Sequence, residues 1–80
     1  MKVRVLLFAS YAEAFGTNEL VLEVPDGARA SDVLARVREL SATRELPPSP
    51  LVAVNASYAA PGQTLTADDE VAIIPPVAGG

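Results

Sequence analysis

Residues 70–80 read Glu70-Val71-Ala72-Ile73-Ile74-Pro75-Pro76-Val77-Ala78-Gly79-Gly80, or EVAIIPPVAGG. The first five predict a strand with Val71 and Ile73 on one side and Ala72 and Ile74 on the other. Pro75 stops it, because proline has no N–H to give to a ladder. Pro75 and Pro76 stiffen the exit from the strand into an extended conformer. Val77, Ala78, Gly79 and Gly80 then reach at most about 13 Å further at full extension. Two glycines make that segment thin enough to enter a channel that admits no side chain. The strand passes into it without a linker, which divides the chain into a domain over residues 1–74 and an extended tail over residues 75–80. The plain alternative is a frayed terminus or an expression remnant.

The chain before that strand is patterned throughout. From Lys2 to Ala9, Val3, Val5 and Leu7 share one face and Arg4, Leu6 and Phe8 the other, which predicts a strand with one fully apolar and one mixed face. Ser10 and Glu13 have the spacing of a capping box and predict a short helix that Gly16 stops by turning left-handed. Thr17 to Val24 alternates again and predicts a second strand, antiparallel to the first. Pro25-Asp26-Gly27 is a turn, with proline presetting its angle and glycine accepting a positive one. Ala30, Val33, Leu34, Val37 and Leu40 recur at helical spacing and predict a helix over residues 30–40, with Ser31 as a candidate N-cap. TRELPPSP, residues 43–50, is a loop. Leu51 to Val54 reads as a short strand, Asn55-Ala56-Ser57 as a turn, and Tyr58 to Leu65 as irregular chain with a turn at Pro61-Gly62. Thr66 to Asp69 is a polar turn. This order suits an α+β domain, one long helix laid across a mixed sheet, with the first and last strands, the most apolar, at the sheet's centre.

Composition narrows the chemistry. Eighty residues make one small domain, half of it hydrophobic. The net charge of −4 disfavours nucleic acid and suits a basic protein surface. No stretch is apolar for long enough to cross a bilayer. The opening MKVRVLLFAS is interrupted by Arg4 and leads to no cleavage site, so a cytoplasmic location is expected. Cysteine and histidine are both absent and Lys2 is the single lysine. No nucleophile therefore stands beside a base. Asp68-Asp69-Glu70 lacks the alternation and central glycine of a calcium loop and reads as a solvated turn, with no metal expected. What remains is the main-chain carboxylate of Gly80. It is ionised at neutral pH and a poor electrophile, so it becomes useful only when another enzyme activates it, for example as an acyl adenylate.

With those residues in place, the chain resembles the small subunit of molybdopterin synthase, the MoaD family of ubiquitin-like sulfur carriers. The likeness runs through VRVLLFA at residues 3–9, VPDGARASDVLARV at 24–37, LVAVN at 51–55 and DEVAIIPPVAGG at 69–80. It implies a β-grasp fold, with no catalytic side chains and no cofactor bound by this chain. It implies that an E1-like enzyme adenylates Gly80 with ATP and that a sulfur donor converts it to a thiocarboxylate. The large synthase subunit would then take the tail, Pro75 to Gly80, into its active site, in an assembly of two small and two large subunits. There the sulfur would pass to cyclic pyranopterin monophosphate to form molybdopterin.

The residues themselves add a partner surface. A helix over the face that holds Val3, Val5, Leu7, Val71 and Ile73 leaves Leu6, Phe8, Ala72 and Ile74 together on the opposite face. An uncovered apolar cluster is expected to dock on the large subunit and on the activating enzyme. The alternative is a second small core under residues 58–65. Three further functions stay open: a related sulfur carrier for thiamin or tRNA thiolation, a protein modifier joined to lysines through Gly80, and an interaction domain with an inert tail.

Overall fold

The computed structural model describes residues 1–41 and 50–75. Most of the proline-rich loop and tail residues 76–80 lie outside them. The elements are β1 (Lys2–Leu7), α1 (Ala9–Phe15), β2 (Glu19–Glu23), α2 (Ala30–Leu40), β3 (Leu51–Val54), β4 (Ser57–Tyr58) and β5 (Glu70–Ile74). They form a five-stranded sheet in the order β2-β1-β5-β3-β4. β1 and β5 run parallel, and every other pair is antiparallel. This is the mixed sheet of a β-grasp domain, with both strongly apolar strands inside it.

Register explains which residues face the core. Val5 lies beside Val71, Leu7 beside Ile73, Val3 beside Leu22, and Val54 beside Val71. Side chains of register partners share a face, so these form continuous apolar rows. α2 covers them: Val33 and Val37 are fully buried in one cluster with Val3, Val5, Leu7, Val71 and Ile73. Each such side chain contributes about 1.5–3 kcal/mol relative to exposure. The helix has the predicted limits, but Leu40 is 47% exposed. The buried stripe thus ends at Val37, one turn short of the expected one.

Two helix starts differ from expectation. α1 begins at Ala9 with Phe8 as N-cap and no side-chain cap. The Tyr11 and Ala12 N–H groups both donate to the Phe8 carbonyl, at 3.1 and 3.4 Å, so Ser10 lies inside the helix and the Ser10–Glu13 capping box does not set its start. Packing overrides the local cap: Tyr11 is fully buried in the core. α2 is capped from Arg29, whose N–H donates to Asp32 Oδ2 at 2.8 Å. Ser31 is inside that helix too. The loop before β5 satisfies the first amides instead, Ala30 N–H on the Gln63 carbonyl and Ser31 N–H on the Pro61 carbonyl, both at 2.9 Å.

The turns match their residues more closely. Gly16 closes α1 at φ 69° and Gly27 completes the Pro25 turn at φ 84°, both left-handed values that glycine adopts without strain. β4 falls within the stretch expected to be irregular, and it is only two residues long. It is joined to β3 by Asn55 and Ala56, at φ 50° and 69°. A two-residue hairpin with both angles positive is the turn whose twist matches its strands; asparagine suits it and alanine does not.

Candidate docking face and tail exit

The face of the sheet opposite α2 is divided along its length. At one end Arg4 Nη2 meets Glu70 Oε2 at 3.0 Å across β1 and β5, with Lys2 opposite Glu23. At the other end the side chains are apolar. Leu6 is registered with Ala72, Ala72 with Ala53, and Ile74 with Leu51. Phe8 comes directly after Leu7 in extended conformation and is 44% exposed. Because β1 and β5 are parallel, their C-terminal ends lie together, so the apolar end is also the end where Pro75 leaves the sheet.

The four residues expected to gather, Leu6, Phe8, Ala72 and Ile74, therefore share this outer face. Pro75 is half-buried directly after β5. Pro76, Val77, Ala78, Gly79 and Gly80 lie outside the described residues. The structure adds Leu51 and Tyr58, both exposed, which reach the same face through β3 and the short β4. Sequence alternation over Leu51–Val54 offers two faces, but only pairing with β5 selects which one joins Ile74. Beyond Tyr58, residues 59–65 do not roof this surface. They are tied to the start of α2, on the other side of the sheet, by the Ala30 and Ser31 bonds and by Leu65 N–H on the Ala28 carbonyl at 2.8 Å. Leu65 is buried in the main core.

The acidic turn before β5 serves the fold. Asp68 takes φ 67°, a left-handed position that aspartate tolerates better than most residues. Asp69 Oδ2 accepts the Thr66 N–H at 2.8 Å, and its Oδ1 accepts from Asn55 Nδ2 at 3.0 Å and from the Thr66 hydroxyl at 3.0 Å. The backbone bond from Thr66, and after it the Asn55 amide, holds this carboxyl below its ordinary value. Glu70 is engaged by Arg4. The Asp69 and Glu70 carboxylates thus turn to different partners, and the described residues contain no cluster of metal-binding side chains. Among them, too, no helix is long and apolar enough to cross a membrane. In the core, burial pushes the Tyr11 hydroxyl above its ordinary range, while the nearby Arg38 guanidinium, which also hydrogen-bonds to it, pulls the other way.

The described elements offer an apolar surface beside the point where Pro75 leaves the sheet. The ThiS family model matches residues 5–80. The molybdopterin synthase sulfur carrier subunit of Chlamydomonas reinhardtii is 39% identical, with all of both chains covered. The crystal structure of SAMP1, small archaeal modifier protein 1, from Haloferax volcanii superposes with a TM-score of 0.83 at 29% identity, again over all of both chains. A complex of subunits 1 and 2 of molybdopterin-converting factor from Helicobacter pylori shares the fold, with a TM-score of 0.71 at 20% identity and full coverage of both chains. By family model and by full-length similarity, the chain belongs to the ThiS family, together with the molybdopterin synthase sulfur carrier subunits it resembles.

Proposed function

We propose that this chain carries sulfur for molybdopterin synthesis on the carboxyl group of Gly80, with residues 1–74 as the handle its partners hold and residues 75–80 as the tail. The observation that carries this reading is the full-length similarity to a molybdopterin synthase sulfur carrier subunit. The apolar patch at the tail exit supports it, as does the absence of histidine and cysteine, which leaves the chemistry to partners.

On an E1-like enzyme, an oxygen of the Gly80 carboxylate bonds to the α-phosphorus of ATP and pyrophosphate leaves. A sulfur donor delivering the equivalent of hydrogen sulfide attacks the acyl carbon, AMP departs with that oxygen, and a thiocarboxylate remains. In the large synthase subunit its sulfur bonds to a side-chain carbon of cyclic pyranopterin monophosphate while a carbon–oxygen bond at that carbon breaks, the oxygen leaving with the bonding pair, as phosphate oxygen at one carbon and as water at the other. Water then cleaves the acyl–sulfur bond and restores the carboxylate. Two carriers supply the two sulfurs of the dithiolene, consistent with a heterotetramer of two small and two large subunits in the cytoplasm. ATP is the activating enzyme's substrate, and this chain holds no cofactor. Leu6, Phe8, Ala72 and Ile74 dock on both protein partners.

Intact-mass measurement of protein from its native cell tests this: a thiocarboxylate adds about 16 Da at the C-terminus, oxygen being replaced by sulfur. Deletion of Gly80 should abolish molybdoenzyme activity with an unchanged circular dichroism spectrum; retained activity would overturn the reading. The likeness to SAMP1 favours a second reading, a modifier joined to lysines through Gly80, which would appear as conjugates of higher mass.

A further inference from the structure

The outer face carries three strand carboxylates, and they are not equivalent. Glu70 is 3.0 Å from Arg4. Glu23 lies 3.9 Å from the Met1 amine. Glu19 makes no ion pair among the described residues, although its backbone is fixed by pairing with Leu6 and by the Thr17 hydroxyl. It is also the one at the tail-exit end.

Glu19 stands at the rim of an open cleft of about 520 Å³ lined by Leu6, Leu7, Phe8, Ala9, Ala12 and Asn18. The cleft begins on the outer face at Leu6 and Phe8 and turns the corner onto α1. The side chains that line it are apolar apart from Asn18, and one carboxylate closes it. That combination suits a long side chain with an apolar stem and a cationic head. A planar guanidinium fits best, since it can fork onto a carboxylate and lie on the exposed Phe8 ring, whereas an ammonium acts as a point charge. No basic side chain of the described residues lines the cleft.

We propose that this cleft receives an arginine side chain of the large synthase subunit, its guanidinium paired with Glu19 and stacked on Phe8. The inference rests on the proposed docking role of Leu6, Phe8, Ala72 and Ile74. It adds a charged anchor at the edge of that apolar patch, and it places on the acidic chain one point where a basic partner is read. Docking removes water from the pair, so the charge acts more strongly there than on the free surface.

The experiment measures binding of the purified large subunit to the full chain by calorimetry at two salt concentrations. Glu19→Gln should weaken binding at least about tenfold, with a shallower salt dependence, and Glu19→Lys should weaken it further. Glu19 is exposed, so unchanged melting curves would separate this loss from unfolding. Replacing the facing arginine of the large subunit by glutamate should be rescued by Glu19→Arg. Unchanged affinity and salt dependence in Glu19→Gln would overturn the anchor. Ile74→Asp separates the two ideas: if it too binds normally, the docking face itself is wrong, whereas if it alone loses binding, the face stands and the arginine anchor falls.

Discussion

Val3, Val5, Leu7, Val71 and Ile73 and their outward neighbours Leu6, Phe8, Ala72 and Ile74 come from the same strand segments and are of similar apolar character, yet they live in different environments. The first set is 0–1% exposed beneath α2. The second ranges from half-buried to exposed, with no helix over it among the described residues. Strand alternation alone would permit either face to be the core. The difference teaches that one apolar face of a small sheet serves stability while the other stays at the surface, and that the helix decides which is which.

The sharpest way to break this comparison is a matched pair of truncations. Ile73→Ala should destabilise the domain by about 2–5 kcal/mol through lost burial and the cavity left behind. Ile74→Ala, one residue on, should cost under about 1.5 kcal/mol. Denaturant melts of both proteins measure the contrast, and equal losses would mean that the outer face is part of the core. Binding should show the reverse ranking. Ile74→Asp is expected to weaken association with the large subunit by about 2 kcal/mol or more while the protein stays folded, as titration against that subunit would register.

A smaller effect is expected at the hairpin that brings Tyr58 onto the outer face. Ala56 holds a positive φ that costs an alanine about 1 kcal/mol, so Ala56→Gly should stabilise the domain by up to about that amount. Both faces would remain intact, which makes the variant a control for stability gained without altered docking. A thermal melt showing destabilisation would contradict the hairpin geometry.

The smallest effect concerns acid. Asp69 has its folded value depressed by the Thr66 and Asn55 bonds, so its contribution is present above the ordinary aspartate range, about pH 3.9, and is lost as pH falls through the folded value. Asp69→Asn should flatten the stability profile below about pH 4. Tyr11 acts at the opposite extreme: its raised folded value means that its contribution is fully present below the ordinary tyrosine value of about 10 and fades as pH rises through the folded one. Tyr11→Phe should remove that alkaline slope, as stability measured across pH would show.

Much of the fold is legible in the sequence. The limits of α2, the two faces of β1 and β5, the stop at Gly16 and the turn at Gly27 are written in local residue choices. So is the candidate site in outline, since Leu6, Phe8, Ala72 and Ile74 alternate away from the most apolar rows. Other features are hidden because they depend on distant chain. Ser10 and Glu13 make a plausible cap, but burying Tyr11 starts the helix earlier. Ser31 is a good N-cap residue, but the carbonyls of Pro61 and Gln63 reach its end of α2 first. Leu51 and Tyr58 join the patch only because β3 lies beside β5. Glu19 resembles any strand glutamate until its pairing with Leu6 sets it at the rim of a cleft.

By itself the sequence determined the absence of histidine and cysteine, and also the periodicities, the turns and the Gly79-Gly80 pair, because each of these is a property of neighbouring residues. Tertiary structure alone decided the strand order, the face that α2 covers and the gathering of an apolar patch where the tail departs. Those rest on register between strands far apart in the chain, where shifting one partner by a single residue exchanges core for surface.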